Sequence, residues 1–140
     1  MTAASRVRIL VVEDEVFVAL ELECLLEEGG HAVVGTAADS REAMSLGERL
    51  RPDLALVDIH LADGPTGVSV AQALDALGGV TVLFTTANAK RIPEDCAAGL
   101  GIVAKPYSPR AILAAVDYAV QVRAGRAPER VPEGMRLLAR

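Results

Sequence analysis

Strand-length apolar runs alternate with helix-like segments along most of the chain, and this alternation limits the fold more than any other feature. Val7-Arg8-Ile9-Leu10-Val11-Val12 is β-branched and nearly continuous in apolar character, as expected of a strand covered on both faces. From Asp14 to Glu28, Val18, Leu22, Leu25 and Leu26 recur at helical spacing, and Gly29-Gly30 stops that helix. His31 to Ala37 reads as a second strand, and Asp39 or Ser40 caps a helix reaching Leu50. Pro52 clears the way for a short buried strand from Asp53 to Asp58. A Gly-rich loop, Asp63-Gly64-Pro65-Thr66-Gly67, leads into a helix from Val68 to Leu77, ended by Gly78-Gly79. Val80 to Thr85 and the shorter Gly101 to Ala104 complete five expected strands. Between them Ala89 to Ala98 should hold a helix, which Pro93 limits to short pieces. Ser108-Pro109 joins a cap to an N1 proline and starts a last helix running to Arg123.

Parallel strands need crossover connections, and those are right-handed, so this order predicts an α/β fold: a doubly wound parallel sheet of five strands and five helices. At 140 residues the chain suits one domain with its own core. Only 3% of residues are aromatic and Trp is absent, so that core must be aliphatic. The formal net charge of -5 argues against non-specific nucleic-acid binding, which needs a basic surface. No apolar run has the length of a membrane span and residues 1–6 lack a signal peptide's apolar stretch, so a cytoplasmic location is expected. Cys24 and Cys96 have neither CxxC spacing nor a His partner and read as reduced thiols; His31 and His60 form no metal pattern.

In doubly wound sheets the working crevice lies outside the carboxyl ends of the strands. Four of those ends carry polar groups here: Glu13-Asp14 after strand one, Asp58 at strand three, Thr85-Thr86 at strand four, and Lys105-Pro106 after strand five. Carboxylates from neighbouring strands repel one another, so a cation must compensate. Lys105 is one candidate and a hard divalent ion is the other. Mg2+ suits an oxygen-rich site, with Asp14 and Asp58 as ligands and Glu13 holding a bound water. Asp58 is then an oxygen nucleophile able to form an acyl phosphate, with Thr86 donating to a phosphoryl oxygen and Lys105 neutralising another. Each piece alone has a plainer reading. Glu13-Asp14 could cap the following helix, Asp58 a turn, Thr86 could simply end a strand, and Lys105 could be solvated.

Leu10-Val11-Val12-Glu13-Asp14-Glu15, Asp53-Leu54-Ala55-Leu56-Val57-Asp58, Thr86-Ala87 and Lys105-Pro106 together resemble the signature set of response-regulator receiver domains. The resemblance covers residues 6 to 123, in the right order and with near-normal spacing. It implies a flavodoxin-like sheet of order 2-1-3-4-5, Glu13 and Asp14 as the acidic pair and Asp58 as phosphoacceptor. It further implies the backbone carbonyl of His60 as a fourth metal group, Thr86 as switch hydroxyl, Lys105 as the phosphate-contacting lysine, and a cis peptide before Pro106. The implied phosphodonor is a sensor histidine kinase or a histidine phosphotransfer protein.

Three departures from that pattern stand out. Ile102 holds the position, three before the lysine, where many receivers carry an aromatic, and Tyr107 does not replace it. The Thr86–Lys105 stretch is shorter than usual by about one helical turn and is interrupted by Pro93, which suggests a mobile region where activation is read out. The loop after Asp58 lacks the usual Met-Pro pair. The first helix also carries a second apolar line, Phe17, Leu20 and Cys24, either part of a wide buried stripe or a docking patch for a four-helix phosphodonor.

The expectation is a stand-alone single-domain response regulator: residues 1–124 a receiver, residues 125–140 a tail that is either a flexible extension or a docked arm. It turns over no external metabolite, binds neither DNA nor membrane, and signals through phosphorylation-dependent contact with a downstream protein target that the sequence does not name. Three rivals remain. One is a phosphorylation-independent scaffold or dimerisation module, to which Ile102 lends support. A flavodoxin-like enzyme or nucleotide-binding domain is the second, disfavoured because Glu13-Asp14-Glu15 stands where a phosphate loop would be needed. The third is a truncated piece of a longer regulator, with residues 125–140 as linker. Whether the chain forms a homodimer is left open.

Overall fold

A computed structural model describes residues 6–88 and 98–138. Its elements, in chain order, are β1 (Arg8–Val12), α1 (Val16–Glu28), β2 (Ala32–Ala37), α2 (Ser40–Leu50), β3 (Leu54–Asp58), α3 (Gly67–Leu77), β4 (Thr81–Thr86), β5 (Gly101–Ala104), α4 (Pro109–Arg123) and β6 (Met135–Leu137). The expected order 2-1-3-4-5 is present, all parallel, and is extended by the sixth strand into β2-β1-β3-β4-β5-β6. The helix expected between Ala89 and Ala98, with Pro93 and Cys96, falls almost wholly outside the described residues, as does the mobile region placed there. No helix among the described residues is long and apolar enough to cross a membrane.

Alternation along each strand builds two aliphatic layers. Ile9, Val11, Leu54, Leu56, Leu83 and Val103 face α1 and α4, while Leu10, Val12, Ala55, Val57, Val82, Phe84 and Ile102 face α2 and α3. The period of two in side-chain direction is the cause. Strands buried on both faces read as continuous apolar runs, which is why β1, β3 and β4 stand out in sequence. Burying a Leu or Ile side chain fully is worth about 1.5–3 kcal/mol, so these layers dominate the stability.

At the amino end of the sheet two arginines tie the layers together through Asp53. Arg8 N donates to Asp53 Oδ2 at 2.9 Å, and its guanidinium reaches the carbonyls of Leu50 and Arg51. Arg123, at the end of α4, donates to the Asp53 carbonyl at 2.9 Å and Oδ1 at 3.1 Å, and to the Gly79 carbonyl.

A wholly parallel sheet of five strands was expected, and β6 corrects that. Within the tail, left open as a flexible extension or a docked arm, Met135–Leu137 form β6. The chain turns at Gly125 (φ +84°) and Gly134 (φ +88°), and β6 then runs antiparallel to β5. Met135 enters the α1/α4 layer and Leu138 the α2/α3 layer.

Candidate functional site

Four of the expected site residues sit where strands stop. Glu13 follows β1, Asp58 closes β3, Thr86 closes β4 and Lys105 follows β5, so the parallel sheet itself gathers them at one edge. Lys105 Nζ lies 2.7 Å from Glu13 Oε1 and 2.6 Å from Asp58 Oδ2, bridging two carboxylates that are almost wholly buried. Asp14 beside them is exposed. One carboxylate oxygen each from Glu13, Asp14 and Asp58 falls within 4.8 Å of the others, a hard-oxygen cluster able to hold a divalent cation.

The electrostatics follow from burial opposed by ion pairing. Burial pushes the Glu13 carboxyl above its ordinary value, and the hydrogen bond from Lys105 only partly offsets that. Burial alone would lower Lys105, but its bonds to Asp58 and Glu13 outweigh this and hold the ammonium protonated well above the ordinary lysine range. Tyr107, half-buried beside them, is pushed up to about 12 by desolvation and stays a neutral phenol.

The backbone around Asp58 is closely fitted. His60 N donates to Asp58 Oδ1 at 3.0 Å, while the His60 side chain points to solvent. Thr86 is buried; its Oγ1 accepts from Asn88 N at 3.1 Å, and its carbonyl accepts from Lys105 N at 2.7 Å. Lys105–Pro106 is cis, as the resemblance implied. The structure thus brings Glu13, Asp14, Asp58 and Lys105 together, with the Thr86 hydroxyl turned to Asn88.

Capping does not account for the acidic pair. The N-cap of α1 is Glu15, and its side chain makes no capping bond. Glu13 Oε2 instead accepts from Glu15 N at 3.1 Å, which orients the carboxylate whose other oxygen meets Lys105.

Two contacts that support the site were not read from the sequence. A Cβ on Gly67 would lie 2.2 Å from the Asp58 carbonyl oxygen, so α3 starts against the backbone of the phosphoacceptor candidate. Asp63 accepts from Ser40 N at 3.3 Å, from the Ser40 hydroxyl, and from Thr66 Oγ1 at 2.7 Å, pinning the β3–α3 loop to the start of α2. The Asp63-x-x-Thr66 spacing was a visible signal for the local half of that clamp.

The second apolar line of α1 is not buried. Phe17 is 86% exposed, Leu20 52%, and Cys24 is exposed as well, with Val16 (68%) beside them on the helix that leaves the acidic pair. A groove of about 490 Å3 opens on the other flank, lined by Glu15, Val18, Glu21, Ala87, Lys105, Pro106 and Tyr107.

Residues 9–117 match the response regulator receiver domain family. The chain belongs to that family. The receiver is 36% identical over 126 residues to the phyllosphere-induced regulator PhyR of Methylorubrum extorquens, covering 86% of this chain and 46% of PhyR. It is 31% identical over 116 residues to the transcriptional regulatory protein PdtaR of Mycobacterium tuberculosis, covering 81% of this chain and 56% of PdtaR. The chain thus spans about half the length of these curated relatives. Among solved structures, the REC domain of the Erythrobacter litoralis PhyR response regulator superposes with a TM-score of 0.71 at 26% identity, over 93% of this receiver and 100% of that domain.

Proposed function

We propose that this receiver takes a phosphoryl group onto Asp58 from a sensor histidine kinase or histidine phosphotransfer protein and signals by a changed affinity for a protein partner. A phosphohistidine N–P bond breaks and an Asp58 O–P bond forms; the departing histidine nitrogen keeps the electron pair and takes up a proton. The observation that carries the reading is Lys105 Nζ held between Glu13 and Asp58 at 2.7 and 2.6 Å, with Asp14 completing the oxygen cluster. The donor set fits Mg2+, with Glu13, Asp14, Asp58 and the His60 carbonyl as its holders. When bound, the ion would screen Asp58 from the incoming phosphoryl charge.

The remaining work falls to this chain's own groups. Lys105 already sits at one Asp58 oxygen and is placed to neutralise a phosphoryl oxygen there. Thr86 accepts from Asn88 N, which leaves its hydroxyl proton for a phosphoryl oxygen. Val16, Phe17 and Leu20 offer the donor an apolar landing beside the site. We take the receiver to occupy residues 1–124, with 125–140 as an arm.

Ile102, aliphatic and 2% exposed in β5, favours a second reading, a receiver-fold scaffold that never takes phosphate. Intact-mass measurement after incubation with Mg2+ and acetyl phosphate separates the two. One phosphoryl adduct, lost in Asp58→Asn and without Mg2+, supports transfer. No adduct from acetyl phosphate or from phosphohistidine proteins leaves the scaffold.

A further inference from the structure

β5 closes the parallel part of the sheet, and a strand left at an edge presents unpaired N–H and C=O groups to any extended chain. Here the chain's own arm occupies that edge. Gly101 pairs with Leu137, Ile102 with Arg136 and Val103 with Met135, and Leu138 N donates to the Leu100 carbonyl at 3.0 Å.

Two side chains anchor the arm, one on each face of the sheet. Met135 sinks into the α1/α4 layer and Leu138 into the α2/α3 layer, each nine-tenths buried. β5 and its approach carry glycine where the arm comes closest. A Cβ on Gly101 would lie 2.6 Å from Met135 Cε and 3.0 Å from the Arg136 carbonyl oxygen. One on Gly99 would lie 2.5 Å from the Phe84 ring and 3.2 Å from Leu138 Cδ1. The edge is therefore shaped to receive a strand with two apolar side chains three residues apart.

The arm's hold is thin. Its strand is three residues long, and residues 124–134 before it have no regular structure. A groove of about 550 Å3 runs between Pro132–Gly134 and the start of α4 at Arg110, Ala111 and Ala114, so this part of the arm is only partly packed on the helix, with Gly134 close to Ala111. Ordering such a segment costs conformational entropy that few contacts offset.

We propose that residues 125–138 are a resident pseudo-ligand of the β5 edge. When the arm lifts, the edge takes an extended partner segment, antiparallel to β5, with Met- or Leu-like side chains at two positions three residues apart. Main-chain bonding gives such strand addition its affinity, and the two seats give it selectivity. Lys105 directly follows β5, so edge and acidic site share one strand, yet this inference does not depend on chemistry at Asp58 and is tested without it.

The test uses the full chain and a fluorescent peptide with the sequence of residues 130–138. Met135→Ser/Leu138→Ser in the full chain should bind the peptide at least tenfold more tightly than the wild type, read by anisotropy. A peptide with serine at both anchor positions should lose that binding. Equal affinity for wild type and variant, or no gain by a variant with native circular dichroism, overturns the proposal. So does a concentration-dependent wild-type dimer without peptide binding, which would assign the edge to a second copy. Should the variant not fold, hydrogen exchange on the wild type decides. The β6 and Leu138 amides should exchange at least tenfold faster than those of Leu56 and Leu83, and a common rate for both sets overturns the gate.

Discussion

Lys105 Nζ stands 2.6 Å from Asp58 Oδ2 and 2.7 Å from Glu13 Oε1, so one ammonium serves two carboxylates supplied by different strands. Removing it takes from both acids the ammonium that now bridges them. In Lys105→Met the unfolding free energy should fall by about 1–3 kcal/mol, the usual cost of stranding buried hydrogen-bonded charge. Mg2+ should then raise the urea midpoint of the variant more than that of the wild type. Equal shifts would mean that lysine and ion answer to different charges.

Gly67 is fixed by contact and not by a left-handed φ. A methyl there would sit 2.2 Å from the Asp58 carbonyl oxygen and 2.6 Å from Ile59 Cα, both backbone atoms that cannot swing aside. Gly67→Ala should therefore cost about 1–3 kcal/mol, as overpacking does, and slow acetyl-phosphate labelling of Asp58. Denaturant titration together with intact mass checks both. Unchanged labelling in a destabilised protein would separate the helix start from the site.

These two cases show where sequence reading reaches its limit. The parallel core was legible because strands buried on both faces must be apolar throughout, and α4 announced itself through Ser108-Pro109. The strand-end acids and Lys105 were legible because a polar group that closes a buried parallel strand is delivered to the crevice at the sheet's carboxyl edge. β6 was not, since Met135–Leu137 is too short for any period to show and exists only by pairing with distant β5. The Ser40–Asp63 clamp spans 23 positions, and the crowding at Gly67 depends on where α3 crosses β3. Such contacts are set by the assembled fold and leave no local pattern.

His31 gives a pH dependence away from the acidic site. Burial lowers its folded pKa, with Asp117 opposing and Arg6 assisting, and its Nδ1 faces Val7 N at 3.4 Å as acceptor. A depressed histidine favours the neutral ring in the fold. Its stabilisation is complete above the unfolded value of about 6.5 and is lost as pH falls through the lower folded value. Urea midpoints of the wild type should thus drop more steeply from pH 7 to 5 than those of His31→Gln. Parallel profiles would exclude the ring as their source.

Asp53 provides a control on the opposite end of the sheet. Its carboxylate accepts from Arg8 N and from the Arg123 guanidinium. Asp53→Ala should lower stability by about 1–2 kcal/mol, because the Arg8 N–H loses its acceptor and the Arg123 guanidinium loses one of three. Asp58 labelling, at the far strand ends, should keep its wild-type rate. A slowed rate would reveal strain passing along β3.

Phe17 tests the docking face of the phosphoryl-transfer reading. At 86% exposure the ring contributes little to the fold, so Phe17→Ser should change stability by no more than about 0.5 kcal/mol. Acetyl phosphate, which needs no protein surface, should label the variant at the wild-type rate. Transfer from a phosphohistidine protein should slow by about tenfold, the effect of losing roughly 1.4 kcal/mol of apolar contact in the encounter. Loss of both rates together would place Phe17 in the fold or the site. Retention of both would move the donor to another face, with the groove between α1 and Tyr107 the next to be mutated.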